Sequence, residues 1–133
     1  MQNPLIQLMR KYQKGNRSTF HLGPFLPIAG IRESGLSFND VFRDAETMTA
    51  AARMSFDLGF ESTVVPFDLN VEAEILGARV SYHDGFDGHP VYPTIAQRPV
   101  TDAEDVAIPN DMRSSGRMPA ILHTIGSLKN SGS

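Results

Sequence analysis

The stretch 66-PFDLNVEAEILGARV-80 decides how the chain is read. It continues the apolar, β-branched run 61-ESTVVPF-67 and sets a carboxylate, Asp68, where that run stops. A run without polar alternation suits a parallel strand covered on both faces. Two more acids, Glu72 and Glu74, follow in what reads as a two-turn helix, with Asn70 as its N-cap and Gly77 as its stop. The acid at the strand end therefore has two readings. It caps the next helix by accepting the N–H of Asn70 or Val71, or it is delivered to a pocket, and one carboxylate can do both.

Working outward, 37-SFNDVFRDAETMTAAARMSFDLGF-60 reads as helix. Ser37 caps one turn, Asp44 restarts or extends it, and Glu46 suits the first turn of the macrodipole. Met48, Ala51, Ala52, Ser55, Phe56 and Leu58 form the expected buried stripe, and Gly59 ends it. Before it, 19-TFHLGPFLPIAGI-31 is expected to supply a first strand, shortened by Pro24 and Pro27 because proline cannot donate to a ladder. An opening helix is expected over 4-PLIQLMRKYQK-14.

Downstream, 78-ARVSYH-83 and 89-HPVYPTIA-96 flank the turn-rich 84-DGFDG-88 and predict a hairpin excursion. Thr101 and Glu104 have the spacing of a capping box. The last segment, 117-RMPAILHTIGSLKNSG-132, reads as an amphipathic helix with Met118, Ile121, Leu122, Ile125 and Leu128 on one face and Gly132 as its stop. Two strand–helix units joined by right-handed crossovers predict parallel neighbouring strands. Two strands are not a finished sheet. The fold class expected is therefore α/β, with residues 1–133 as a single partial domain.

Composition excludes several functions. Twelve Lys and Arg against fifteen Asp and Glu leave a net charge of -3, and the basic residues form no stripe, which argues against nucleic acid. No apolar run approaches the ~20 residues of a membrane span. The absence of cysteine removes disulfides and thiolate metal ligands and fits a cytoplasmic protein.

The block from Gly35 to Val80 resembles the N-terminal region of the uroporphyrinogen decarboxylase superfamily, most closely its methyltransferase branch. The residues that carry the resemblance are Gly35-Leu36-Ser37, Gly59-Phe60, and the run from Asp68 to Gly77; 108-IPNDMRSSGRMPAILHTIGSLK-129 is similar to the family's link into the helix preceding its third strand. The resemblance implies a (β/α)₈ barrel, which typically needs ~250 residues. This chain would then be its N-terminal portion, with the remainder in another chain or missing. It further implies transfer of a methyl group from a methylated corrinoid, on a corrinoid protein or as methylcobalamin, to a small thiol such as coenzyme M. Asp68, by the same resemblance, is a substrate-binding acid at the barrel mouth.

The decarboxylases carry paired arginines on the first strand to hold substrate carboxylates. Pro27 and Ile31 stand at those positions here, which disfavours porphyrin decarboxylation. A decarboxylase-like enzyme remains the alternative, beside a noncatalytic fragment or binding subunit. The branch also implies zinc, held by a histidine and two cysteines late in the barrel. A chain without cysteine cannot assemble that site alone, so no catalytic residue and no metal ligand is assigned within it. Glu72 and Glu74, two residues apart, point to different sides of a helix and are expected to be solvated structural acids. His83 and His89 match no metal-ligand spacing and are assigned to turn chemistry. His123 is expected to be half-exposed, and His21 to sit deep in the first strand.

Overall fold

The computed structural model of the chain describes residues 23–87 and 89–131. The expected helix over 4–14, His21 and Gly132 lie outside them. In chain order the elements are α1 (Ile28–Glu33), α2 (Phe38–Arg43), α3 (Ala45–Asp57), α4 (Val71–Ile75), β1 (Arg79–Ser81), β2 (Thr94–Gln97) and α5 (Met118–Ser131), with 3₁₀ turns at Ala103–Asp105 and Met112–Ser114.

The helix expected from residue 37 onward is two helices meeting at a sharp joint. The Ser37 hydroxyl accepts the Asp40 N–H and starts α2; Asp44, in extended conformation, accepts the Thr47 N–H and starts α3. One residue thus closes the first helix and caps the second. On α3, Met48, Ala51, Ala52 and Ser55 are buried as expected, with Thr49 added to the stripe, but Phe56 is exposed. Phe56 stands one turn beyond Ala52, on the same flank as Thr49; Thr49 is covered there by Thr124 of α5, whereas Phe56 is left uncovered.

α5 packs across α3. Its buried face runs through Ile121 and Thr124, with Met118 and Leu128 partly covered, whereas Leu122 and Ile125 are exposed. Thr124 is the residue that hydropathy alone misplaces. Both Thr124 (3.1 Å) and Thr49 (2.7 Å) reach the Ala45 carbonyl, and the two hydroxyls stand 3.2 Å apart. Buried hydroxyls with partners satisfy each other and pin the helix pair in register.

Two expected strands do not form ladders among the described residues. The segment expected to be the first strand becomes α1 from Ile28 onward: Pro27 precedes it, and the Ile31 N–H reaches the Pro27 carbonyl at 3.1 Å. Gly30 sits so close to α3 that a Cβ there would lie 2.7 Å from the Met54 sulfur, and the Met54 side chain would have to shift to admit it. The run 61–67 passes through the molecule without strand pairing, and Phe67 at its end is fully buried. The two segments are nevertheless neighbours. Gly23 donates to the Ser62 hydroxyl at 3.0 Å, and a Cβ on Gly23 would collide with the Ser62 carbonyl.

The hairpin forms: β1 and β2 are antiparallel, with Arg79 opposite Gln97, Val80 opposite Ile95 and Ser81 opposite Thr94. Its turn region carries Gly85 and Asp87 at positive φ and a reciprocal pair of backbone hydrogen bonds between Phe86 and His89. The capping box at Thr101 is not used. The chain makes a single 3₁₀ turn there, and the side chain of the flanking residue Asp102 accepts no capping hydrogen bond. The core gathers Leu26, Ile31, Phe38, Val41, Phe42, Met48, Ala51, Ala52, Phe67, Val71 and Ile121. No helix among the described residues is long and apolar enough to cross a membrane.

Candidate functional site

Asp68 is buried, with only 2% of its side chain exposed. Its Oδ1 accepts the Asn70 N–H at 2.9 Å, which is the capping turn expected locally. The same oxygen receives Arg117 Nη2 at 2.6 Å. Asn70, in turn, does not use its side chain as a cap; its Nδ2 donates to the Pro93 carbonyl at 2.7 Å and ties the start of α4 to the hairpin.

Arg117 precedes the first residue of α5 and is buried to the same degree as Asp68. A cation at a helix N-terminus opposes the helix dipole, so it persists there only with anionic or carbonyl partners. It has several. Nη1 donates to the Phe42 carbonyl at the end of α2 (2.6 Å), Nη2 to Asp68, and Nε lies 2.9 Å from Glu74 Oε2. The Nε contact is an ion pair without hydrogen-bonding alignment, since neither atom gains a bond from it. The guanidinium also stacks over the Tyr82 ring at 5.6 Å, and Arg43 approaches the same ring at 5.9 Å. Gly116, at φ +53°, makes the turn into Arg117 with Glu74 directly against it. A side chain there would press on the Glu74 side chain at 3.0 Å.

Glu74 is therefore not the solvated acid that its sequence position suggests. Its side chain is 18% exposed, pairs with Arg117 and accepts the Tyr82 hydroxyl at 3.2 Å. The reason is geometric: α4 is a single short turn, and the face carrying Glu74 meets the start of α5. Glu72, on the other side, is exposed as expected. Burial pushes the Tyr82 phenol up to about 12; the Arg117 charge opposes this, and Glu74 adds to it by charge and hydrogen bond. Burial also works against the Arg117 charge, but the Asp68 hydrogen bond and charge outweigh it and hold the guanidinium above its ordinary value. Neither Arg117 nor Tyr82 was singled out by motif. The signal available for Arg117 was the cation at the start of an apolar helix, directly after a glycine.

The histidines fall where turn chemistry places them. His83 Nε2 meets the Thr94 hydroxyl at 3.2 Å across the hairpin, and His89 serves the turn through its backbone. His123 is half-exposed, 3.4 Å from Glu46. No group of three His, Cys, Asp or Glu side chains among the described residues could hold a metal, and the chain has no cysteine. The donor set does not fit a zinc–thiolate centre.

The profile of the Uroporphyrinogen decarboxylase (URO-D) family matches residues 20–132. The chain belongs to this family. It is 30% identical over 87 residues, 65% of its length, to a methylated-thiol–coenzyme M methyltransferase of Methanosarcina mazei. That match spans 22% of the relative, so the chain corresponds to about a fifth of it. Its fold superposes on a solved methyltransferase from Methanosarcina mazei with a TM-score of 0.73 and 19% identity, over 96% of this chain and 38% of the other. The family member thus has a mixed helix–strand fold that matches part of a larger methyltransferase chain. Asp68 lies inside the family-matched region, and so do all its partners.

Proposed function

We propose that residues 1–133 form the N-terminal part of a (β/α)₈ barrel in a corrinoid-dependent methyltransferase. The enzyme moves a methyl group from a methylated corrinoid to a thiol such as coenzyme M. The similarity to the methylated-thiol–coenzyme M methyltransferase carries this reading. The structure adds support from Asp68, whose carboxylate is turned into the molecule at the end of the 61–67 segment, where barrel enzymes place their ligand-binding groups.

In this reading Asp68 binds substrate, and the remaining strands come from a polypeptide outside these 133 residues. That polypeptide also supplies the zinc ligands. Leu122 and Ile125 on α5, and Leu69 beside Asp68, are exposed apolar groups suited to contact with it. The partners are then methylcobalamin or a corrinoid protein, and the small thiol.

The test is to mix the chain with a polypeptide carrying the rest of the barrel, zinc, methylcobalamin and coenzyme M, and to follow methyl-coenzyme M by mass spectrometry. Transfer by the mixture and by neither part alone is expected, with Asp68→Ala slowing it. A mixture that assembles but transfers nothing overturns the methyltransferase reading and leaves the noncatalytic one.

A further inference from the structure

Two carboxylates share one buried guanidinium at the junction of the 61–70 segment, α4 and α5. Every nitrogen of Arg117 faces a partner: Phe42 O, Asp68 Oδ1 and Glu74 Oε2. Both hydrogen bonds to Asp68, from Arg117 and from the Asn70 backbone, fall on Oδ1. Oδ2 of Asp68 is shut from solvent and has no donor among the described residues. Glu74 Oε2 and Arg117 Nε also lack a hydrogen bond, but these two face each other at 2.9 Å, whereas Oδ2 faces no cation. Buried charged oxygens are ordinarily satisfied, so one left open beside a rigidly held twin is an acceptor in wait of a donor.

We infer that Arg117 is the positioning residue of the site: by locking Oδ1 of Asp68 it orients Oδ2 as the acceptor for a neutral or cationic N–H or O–H donor of the ligand. This rests on the reading of Asp68 as a ligand-facing acid. The guanidinium is fixed independently of that ligand, by the Phe42 carbonyl, Glu74 and the Tyr82 ring, so it serves as an anchor and not as a contact. The charge count sets the ligand class. Asp68 and Glu74 against Arg117 leave one negative charge, which repels an anion such as the sulfonate of coenzyme M. The donor therefore belongs to the other substrate, and methylcobalamin, rich in amide N–H groups, is the probe.

The test uses the assembled chain and its complementing polypeptide with Asp68→Asn, Arg117→Lys, Arg117→Met and the Asp68→Asn/Arg117→Met pair. Lysine keeps the charge but cannot span all three partners. Arg117→Lys is expected to raise the KM for methylcobalamin about tenfold, the factor carried by one charge-assisted hydrogen bond, and to leave the KM for coenzyme M unchanged. In the Asp68→Asn background, loss of Arg117 is expected to add no more than about twofold. Full additivity, or equal effects on both substrates, overturns the positioning role. If Asp68→Asn itself leaves both constants unchanged, the ligand-facing reading of Asp68 fails instead. Should the wild-type assembly transfer no methyl group, the carboxyl ¹³C resonance of Asp68 in the chain decides. A shift in Arg117→Lys without loss of the folded spectrum supports the lock on Oδ1, and an unmoved resonance overturns it.

Discussion

The helical layer of α1, α2, α3 and α5 and the segment 94–114 contain similar kinds of residues and treat them oppositely. In the layer, Val41, Phe42, Met48, Ala51 and Ala52 are completely buried. In the segment, Ile95, Val106, Ile108 and Met112 are exposed, Ile108 by 70%, and only Val100 and Pro109 are even half-covered. Apolar content does not decide burial. Spacing does: the layer repeats its large groups every three to four residues on one face, while 94–114 interleaves them with Pro, Asp and Asn and never builds a face. The layer should therefore carry the stability, and the Asp68–Arg117 cluster, which fastens α5 to the 61–70 segment, should be its most sensitive point.

The largest effect is expected from Arg117→Met. It leaves Asp68 and Glu74 buried without their cation, a loss of ~3–5 kcal/mol on breaking one side of a buried pair. Urea unfolding followed by circular dichroism measures it. A loss no greater than the ~0–1 kcal/mol of a surface pair would mean that water reaches the cluster and that the contrast between the two regions is false.

Next comes Tyr82, whose hydroxyl donates to Glu74. Its folded value of about 12 lies above the ordinary 10.0 of a phenol, so folding favours the neutral form. That contribution is full below pH 10 and is lost as pH rises toward 12. Tyr82→Phe should flatten the fall in stability across this window relative to wild type and cost about 1 kcal/mol at neutral pH. Parallel alkaline curves for the two proteins would show that the phenol is not held by the cluster.

Asp44→Ala removes the cap at the α2–α3 joint and should cost about 1 kcal/mol near neutrality. The Thr47 hydroxyl, with its backbone N–H, holds the Asp44 carboxyl below its ordinary 3.8. A depressed value stabilises the fold above pH 3.8, and the contribution disappears as pH falls through the folded value. Wild type and variant should accordingly converge in acid. A gap that persists there would assign the effect to packing instead of the cap.

Much of this was legible in the sequence, and the failures have particular causes. Ser37, Asp44, Gly59 and Gly77 mark helix ends by local chemistry, and local chemistry decides them in the structure. The hairpin was legible from its Gly-Asp turn for the same reason. The family was legible from the run beginning at Asp68. The strands expected at 19–31 and 61–67 form no ladder among the described residues, because a strand exists only with a neighbour, and pairing is not written in the segment itself. Glu74 and Arg117 were opaque on separate grounds: forty-three positions apart in sequence, they meet only once α4 and α5 are packed. Asp68 was visible as an acid in an unexpected place, but its partner was not.

The smallest effect is expected in the exposed segment. Ile108→Ser changes a large apolar residue to a polar one, which in the layer would cost several kcal/mol. At 70% exposure Ile108 has little contact to lose, so its substitution should move the unfolding free energy by no more than about 0.5 kcal/mol. The same substitution measured in the assembled barrel separates two roles for the segment. An unchanged assembly affinity means that the apolar groups of 94–114 face solvent there too, whereas weaker assembly with unchanged stability of the chain means that the added polypeptide covers them. Either way, the free energy of this segment is decided by what lies beyond its own residues, and that of the Asp68–Arg117 junction by what lies within them.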